Sequence, residues 1–227
     1  MKLAVFLNLG ESFTVLKYQG QDKLMLSQNI LSFARAFKHV YVFTYAKEQV
    51  VLPPNCTLVL PPFPLPRYVY ALLAPFLHRR LLSQVDLIRC FQLTGSLPGI
   101  IAKIFYGKKF VFNLGYDYAA FAAIEGKLIQ SLLFRLLQPL ALKLATGVIV
   151  KSKSLLSTIH YPLSTKLIYL PNGVDTNQFH PHRQPINRLT NQPIILFIGR
   201  LEPQKNLITL IEAVAKLKSK PRLVMVG

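Results

Sequence analysis

The chain has 227 residues, of which 27 are Lys or Arg and 9 are Asp or Glu, for a formal net charge of +18; 52% is hydrophobic and 16% charged. The apolar share suffices for a packed core and excludes global disorder. The basic excess attracts polyanions, but it is dispersed, and no run of five like charges or basic–aromatic alternation points to nucleic acid.

Cys56 and Cys90 lie far apart and outside any C-x-x-C pattern, which argues against a disulfide framework or zinc site and fits a reducing compartment. Leu3–Leu7 is too short for a secretory signal and reads as a first buried strand.

In chain order, Leu3–Asn8 is a strand, Lys23–Phe37 a helix, and Val40–Thr44 and Thr57–Leu60 are strands. Arg67–Leu82 is a basic, apolar helix expected to be interrupted at Pro75. Val85–Arg89 is a strand, Leu97–Phe105 a helix and Phe110–Asn113 a strand. Lys127–Leu144 is a long helix with a kink at Pro139. Gly147–Lys151, Ser152–Ile159 and Lys166–Leu170 follow as strand, helix and strand. Continuous apolar runs alternating with helical patterns predict an α/β fold, a Rossmann-like parallel sheet covered by helices.

Pro171–Gln192 is rich in Pro and Asn and reads as a linker. Pro193–Ile198, Asn206–Ser219 and Arg222–Val226 then form a βαβ unit, with Asn206 expected to cap its helix. The predicted domains are therefore 1–170, a linker at 171–192, and the start of a second domain at 193–227. A lone βαβ unit cannot bury both faces of its sheet, so a longer chain or a partner is expected.

Between the strand ending at Ile198 and the helix after Asn206 stand Gly199, Arg200 and Lys205. Arg grips phosphate oxygens as a fork, Lys adds a point charge, and a helix amino end favours anions. Taken alone, two surface cations on an ordinary loop are an equal reading of these residues.

Gly199-Arg200-Leu201, Lys205-Asn206 and Leu210-Ile211-Glu212-Ala213 resemble the signature of the retaining family 4 glycosyltransferases, which have the GT-B fold. Upstream, Leu170-Pro171-Asn172-Gly173-Val174-Asp175, with Phe179 and Pro181, resembles that family's interdomain motif. The resemblance implies transfer of a sugar from a nucleotide-diphosphate donor to a carbohydrate or lipid-linked acceptor, with retention of configuration. Arg200, Lys205 and Gly199 would bind the donor diphosphate, and Asn172, Gly173 and Asp175 would shape hinge and cleft. The resemblance also implies no cofactor and no metal. Apart from the resemblance, Gly10 follows the first strand, where open α/β sheets bind ligands and a glycine lets them approach the backbone, and it is a cleft candidate together with Gly115.

The family's paired glutamates, eight positions apart, have no counterpart, which suggests truncation within the second domain. Its first-domain catalytic histidine is also missing, and Asp117 in Tyr116-Asp117-Tyr118 is the nearest polar substitute; a turn residue beside Gly115 is an equal reading. His39, His78, His160, His180 and His182 show no triad or metal spacing.

The rival reading is a non-catalytic remnant or split subunit that binds acceptor or membrane. A nucleotide-binding oxidoreductase would want Gly-x-Gly-x-x-Gly after the first strand, where Gly10 stands alone. The expected location is cytoplasmic, with Arg67–Leu82 and its basic neighbours able to lie peripherally on an anionic inner membrane face.

Overall fold

A computed structural model describes residues 1–159, 166–177, 179–181 and 192–227. The chain divides into two compact units, Met1–Asp117 with Leu133–Pro171, and Tyr118–Leu132 with Asn172–Gly227.

The first unit holds a seven-stranded sheet of β1 (Lys2–Phe6), β2 (His39–Phe43), β3 (Cys56–Val59), β4 (Leu87–Cys90), β5 (Phe110–Leu114), β6 (Gly147–Val150) and β7 (Lys166–Tyr169), in the order β3-β2-β1-β4-β5-β6-β7. Every pairing is parallel. The chain winds one way from β1 to β3 and the other way from β4 to β7. The carboxyl ends of β1 and β4 thus flank the switch point, where open α/β sheets bind ligands.

Strand alternation sends Leu3, Val5 and Leu7 to one face, against Phe13, Leu16, Ile30, Val40, Val42 and Phe91. Ala4 and Phe6 take the other face, where Phe6 stacks on Phe43 at 4.2 Å. Full burial of each large apolar side chain contributes about 1.5–3 kcal/mol. Gly99 is required for helix–sheet packing: a Cβ there would stand 2.8 Å from Cys90 Sγ and 2.9 Å from the Phe110 ring.

The helix expected over 23–37 is present as α2 (Asp22–Leu24), a π-helical stretch (Met25–Ile30) and α3 (Leu31–Ala36). The short α1 (Phe13–Tyr18) precedes it, unforeseen, although its cap Ser12 accepts from Val15 N as an N-cap should. The expected break at Pro75 falls instead at His78. α4 (Arg67–Leu77) carries Pro75 inside it, and α5 (Arg79–Leu82) follows. Proline removes one N–H and crowds the carbonyl four residues back, a defect the turn survives for two further residues. α6 (Leu97–Tyr106) ends at Gly107, whose φ is 65°.

The helix α7 (Tyr118–Ile124) was also unforeseen and belongs to the second unit. α8 (Leu128–Leu144) runs through Pro139; its residues from Leu133 belong to the first unit. α9 (Lys153–Thr158) leads toward β7.

The second unit also contains β8 (Ile194–Ile198), a 3-10 turn (Pro203–Lys205), α10 (Leu207–Ala215) and β9 (Arg222–Val226). β8 and β9 pair in parallel from Ile194↔Arg222 to Ile198↔Val226. α10 stops short of the expected Ser219, before a stretch of three lysines, Lys216, Lys218 and Lys220. Lys220 takes a φ of 42° just ahead of Pro221, which closes off further helix.

Candidate functional site

At the carboxyl end of β1 the chain turns through Asn8–Glu11. Asn8 Oδ1 accepts from Leu9 N at 3.0 Å and from the Thr94 hydroxyl, tying this loop to the one after β4. Glu11 Oε2 accepts from Asn8 N at 3.2 Å. Burial pushes the Glu11 carboxyl up, against the lowering effect of its Asn8 hydrogen bonds. Gly10 sits at φ 77°, and a Cβ there would come within 2.7 Å of Arg67 Cδ. Gly115 lies beside the Gln92 side chain, with 3.1 Å between its hypothetical Cβ and Gln92 Oε1. Both glycines expected at a cleft therefore stand at the carboxyl ends of this sheet, each facing a long polar side chain.

A cavity of about 340 Å³ opens at the same edge, between Leu9, Tyr68, Thr94, Leu97, Leu137 and Leu140. Its lining is almost wholly apolar, which suits a hydrocarbon better than a phosphate.

The amino end of α1, the first helix after β1, has no donor left for an anion. Phe13 N and Thr14 N donate to the Glu48 carboxylate at 3.0 and 2.8 Å, Val15 N to Ser12 Oγ at 3.1 Å and Leu16 N to Ser12 O at 2.8 Å. The three first-turn amides of Phe13, Thr14 and Val15 are thus satisfied by side chains, Leu16 N opens the helix's own ladder, and a carboxylate already occupies the positive end of the helix. This is a physical objection to the dinucleotide-binding alternative, beyond the missing glycines.

Arg89 is a site feature that strand reading missed. It is buried on β4, donating to Cys90 O at 2.8 Å and to Asn113 Oδ1 on β5, with Phe91 beneath it at 5.0 Å. Burial pushes its pKa down to about 10. Burial, and then the Arg89 charge, also lower Lys151. The only visible signal was a charge inside the otherwise apolar run Leu87-Ile88-Arg89-Cys90.

In the second unit, Gly199, Arg200 and Lys205 occupy one loop between β8 and α10. Gly199 N donates to Val226 O at 2.9 Å, fixing the loop's start to β9. The Arg200 side chain is 72% exposed and pairs with Glu202 Oε1 at 2.8 Å, while Glu202 Oε2 is buried with no hydrogen-bond partner. Lys205 is exposed at the end of the 3-10 turn.

Asn206 does not cap α10 with its side chain. It adopts a left-handed conformation (φ 46°), and its Oδ1 accepts the Thr209 hydroxyl at 3.0 Å instead of a backbone amide. In that conformation the side chain is turned from the extended geometry that N-caps need. The amino end of α10 is thus without a side-chain cap, unlike that of α1.

Glu125, just after α7, accepts from Lys127 Nζ at 2.7 Å and from Gln204 Nε2 at 2.6 Å. The Lys127 hydrogen bond, followed by that from Gln204, holds this exposed carboxyl below its usual range. α7 is therefore tied to the Arg200–Lys205 loop, a contact across 79 positions that no local pattern announces.

Asp117 is exposed on the turn between β5 and α7. Asn172 and Gly173 are exposed in the segment after β7. Asp175 folds its own turn, its Oδ1 accepting from Asn177 N at 2.9 Å and its carbonyl from Phe179 N at 2.8 Å. His160 and His182 lie outside the described residues, as does much of the predicted linker; His180 is exposed. Among the described residues, no three His, Cys, Asp or Glu side chains group closely enough to hold a metal ion. No described helix is long and apolar enough to cross a membrane.

Over its whole length the chain superimposes on sucrose-phosphate synthase from Thermosynechococcus elongatus, with a TM-score of 0.68 at 16% identity. The fold is GT-B-type. The chain spans 62% of the length of that synthase. A second structure of the synthase aligns with 77% of this chain at 15% identity and a TM-score of 0.49. Residues 178–227 match the family model described as Glycosyl transferases group 1, a region that contains the whole β8–α10 loop. No curated protein matches the chain by sequence.

Proposed function

We propose that this chain serves glycosyl transfer from a nucleotide-diphosphate sugar to a carbohydrate or lipid-linked acceptor, with retained anomeric configuration and without a metal. One observation carries the reading: Arg200, Lys205 and an amino end of α10 without a side-chain cap lie within eight positions of one another, inside the matched glycosyl transferase region. As the bond between sugar and diphosphate breaks, negative charge grows on the leaving diphosphate. Preorganised cations and helix amides aimed at that charge lower the barrier by several kcal/mol. The Arg200–Glu202 pair is no obstacle, since exposed ion pairs hold only about 0–1 kcal/mol. A phosphate can take the guanidinium fork in place of the carboxylate. The apolar cavity beside Leu9 and Thr94 favours an acceptor with a hydrocarbon part.

Titration calorimetry with UDP, GDP and ADP, and with their sugars, tests the donor half of this reading. At least one should bind, and Arg200→Ala or Lys205→Ala should each weaken it about tenfold, the worth of one charge-assisted hydrogen bond. Failure of all three nucleotides, or binding indifferent to both substitutions, would sink it. Sugar transfer from radiolabelled donors into membrane extract then separates an enzyme from a chain that binds without turnover.

A further inference from the structure

Helix α4 is amphipathic in an unusual sense. Its inward stripe is Tyr70, Ala71, Ala74 and Pro75, while its outward stripe is Tyr68, Val69, Leu72, Leu73, Phe76 and Leu77. The solvent side thus carries more hydrocarbon than the side against the protein. Leu72 is 48% exposed and Phe76 43%. Single exposed apolar residues need no explanation, but a contiguous stripe does.

The stripe does not end with α4. Phe76 meets Phe105 of α6 ring to edge at 5.1 Å, and Phe105 and Ile104 are 62% and 57% exposed. On the other side, Tyr68 shares the apolar cavity with Leu133, Leu136 and Leu140 of α8, of which Leu136 is 66% exposed. One hydrocarbon face therefore extends over α6, α4 and the first-unit part of α8.

The charges on these helices have a single sign. α4, α5, α6 and α8 contain Arg67, Arg79, Arg80, Lys103, Arg135 and Lys143, and no Asp or Glu. All but Lys103 are exposed. The Arg79 guanidinium lies over the Tyr106 ring at 5.7 Å, at the margin of this hydrocarbon face.

We propose that this face docks onto an anionic lipid bilayer, the apolar stripes entering the acyl boundary and the cations meeting lipid phosphates. A second copy of the chain is a poorer occupant. Self-complementary packing would press the same all-cationic surface against itself, and like charges across an interface are strongly unfavourable. None of the described helices is long enough to span, so the helices would lie in the interfacial plane. The proposal concerns attachment alone and stands apart from the transfer chemistry.

The chain contains no Trp, so Leu72→Trp places a single reporter at the centre of the face. With the 227-residue chain, phosphatidylcholine vesicles containing phosphatidylglycerol should shift its emission to the blue, and brominated acyl chains should quench it. Sedimentation with the same vesicles should show binding that weakens with salt. Arg80→Ala with Arg135→Ala should weaken binding about thirtyfold, at about fivefold per cation. Leu72→Gln with Phe105→Gln should abolish it while circular dichroism stays unchanged. Binding that ignores lipid charge, salt and both double variants would overturn the proposal. So would an absence of vesicle binding, whether the chain stays monomeric or forms a dimer that Leu72→Gln with Phe105→Gln dissolves.

Discussion

Thr14 gives Glu48 both its backbone N–H and its hydroxyl, at 2.8 and 2.9 Å, across 34 positions of sequence. The same carboxylate accepts from Phe13 N and from the Thr44 hydroxyl. The protein thereby supplies its own anion to the helix that follows β1.

Replacing Glu48 with Ala leaves two helix amides and two hydroxyls without that acceptor. We expect a loss of about 2 kcal/mol in urea unfolding, near the upper end for losing a helix cap. Sulfate or phosphate should then raise the melting temperature of E48A more than that of the native chain, because the vacated helix end binds anions. Unchanged stability in E48A would show that the carboxylate does not carry the helix end.

Glu202 competes with any phosphate for Arg200. Glu202→Gln removes the charge while keeping the shape, so nucleoside diphosphate affinity should rise by a few-fold, within the range of an exposed ion pair. The gain should shrink at high salt. Weaker binding in E202Q would place Glu202 among the groups that hold the ligand.

Gly99→Ala should destabilise the first unit by about 1–3 kcal/mol, since the new methyl meets Cys90 Sγ at 2.8 Å and the Phe110 ring at 2.9 Å. Gly107→Ala would meet nothing within 4 Å, but its φ is 65°, so any loss there reports backbone strain alone. A denaturant series comparing the two separates overpacking from conformation; a G99A chain as stable as the native one would mean that the helix shifts freely.

His78 donates to or accepts from the Tyr70 hydroxyl at 3.1 Å and stands edge-on to Phe43 at 5.3 Å. Burial holds its pKa below 6.5. The folded state then binds this proton less readily than the unfolded one, so the stability it confers is present above 6.5 and is lost on acidification through the lowered value. Glu11 acts in the opposite sense: its raised carboxyl costs stability as pH rises above 4.5. His78→Gln should therefore flatten the fall in melting temperature between roughly pH 7 and 5. At neutral pH it should lose about 1 kcal/mol with the Tyr70 hydrogen bond. An unchanged slope would assign the acid sensitivity elsewhere.

The strands were legible because buried parallel strands write themselves as apolar runs, as in Leu3–Leu7 and Phe110–Leu114. The Gly199–Asn206 loop was legible because its residue types and spacing are local. Glu48, Arg89 and Glu125 were not, because each acts through a partner far along the chain, Thr14, Asn113 and Gln204, at separations of 34, 24 and 79 positions. Periodicity reports which face a residue takes, not which distant group it meets there. α7 escaped for a different reason: Tyr118–Ile124 follows Gly115 and Asp117, turn signals that outweighed its four alanines, Ala119, Ala120, Ala122 and Ala123.

β1 sits between β2 and β4, and Lys2 N reaches Asp86 Oδ2 across 84 positions at the foot of β4. During synthesis at about 5–20 residues per second, β1 therefore leaves the ribosome roughly 4–17 s before that partner exists. For that interval one edge of Leu3–Phe6 has no strand beside it, although the residues are among the most apolar of the chain. A nascent chain stalled before Cys90 should on this account engage chaperones through its first strand, and release them once β4 has emerged.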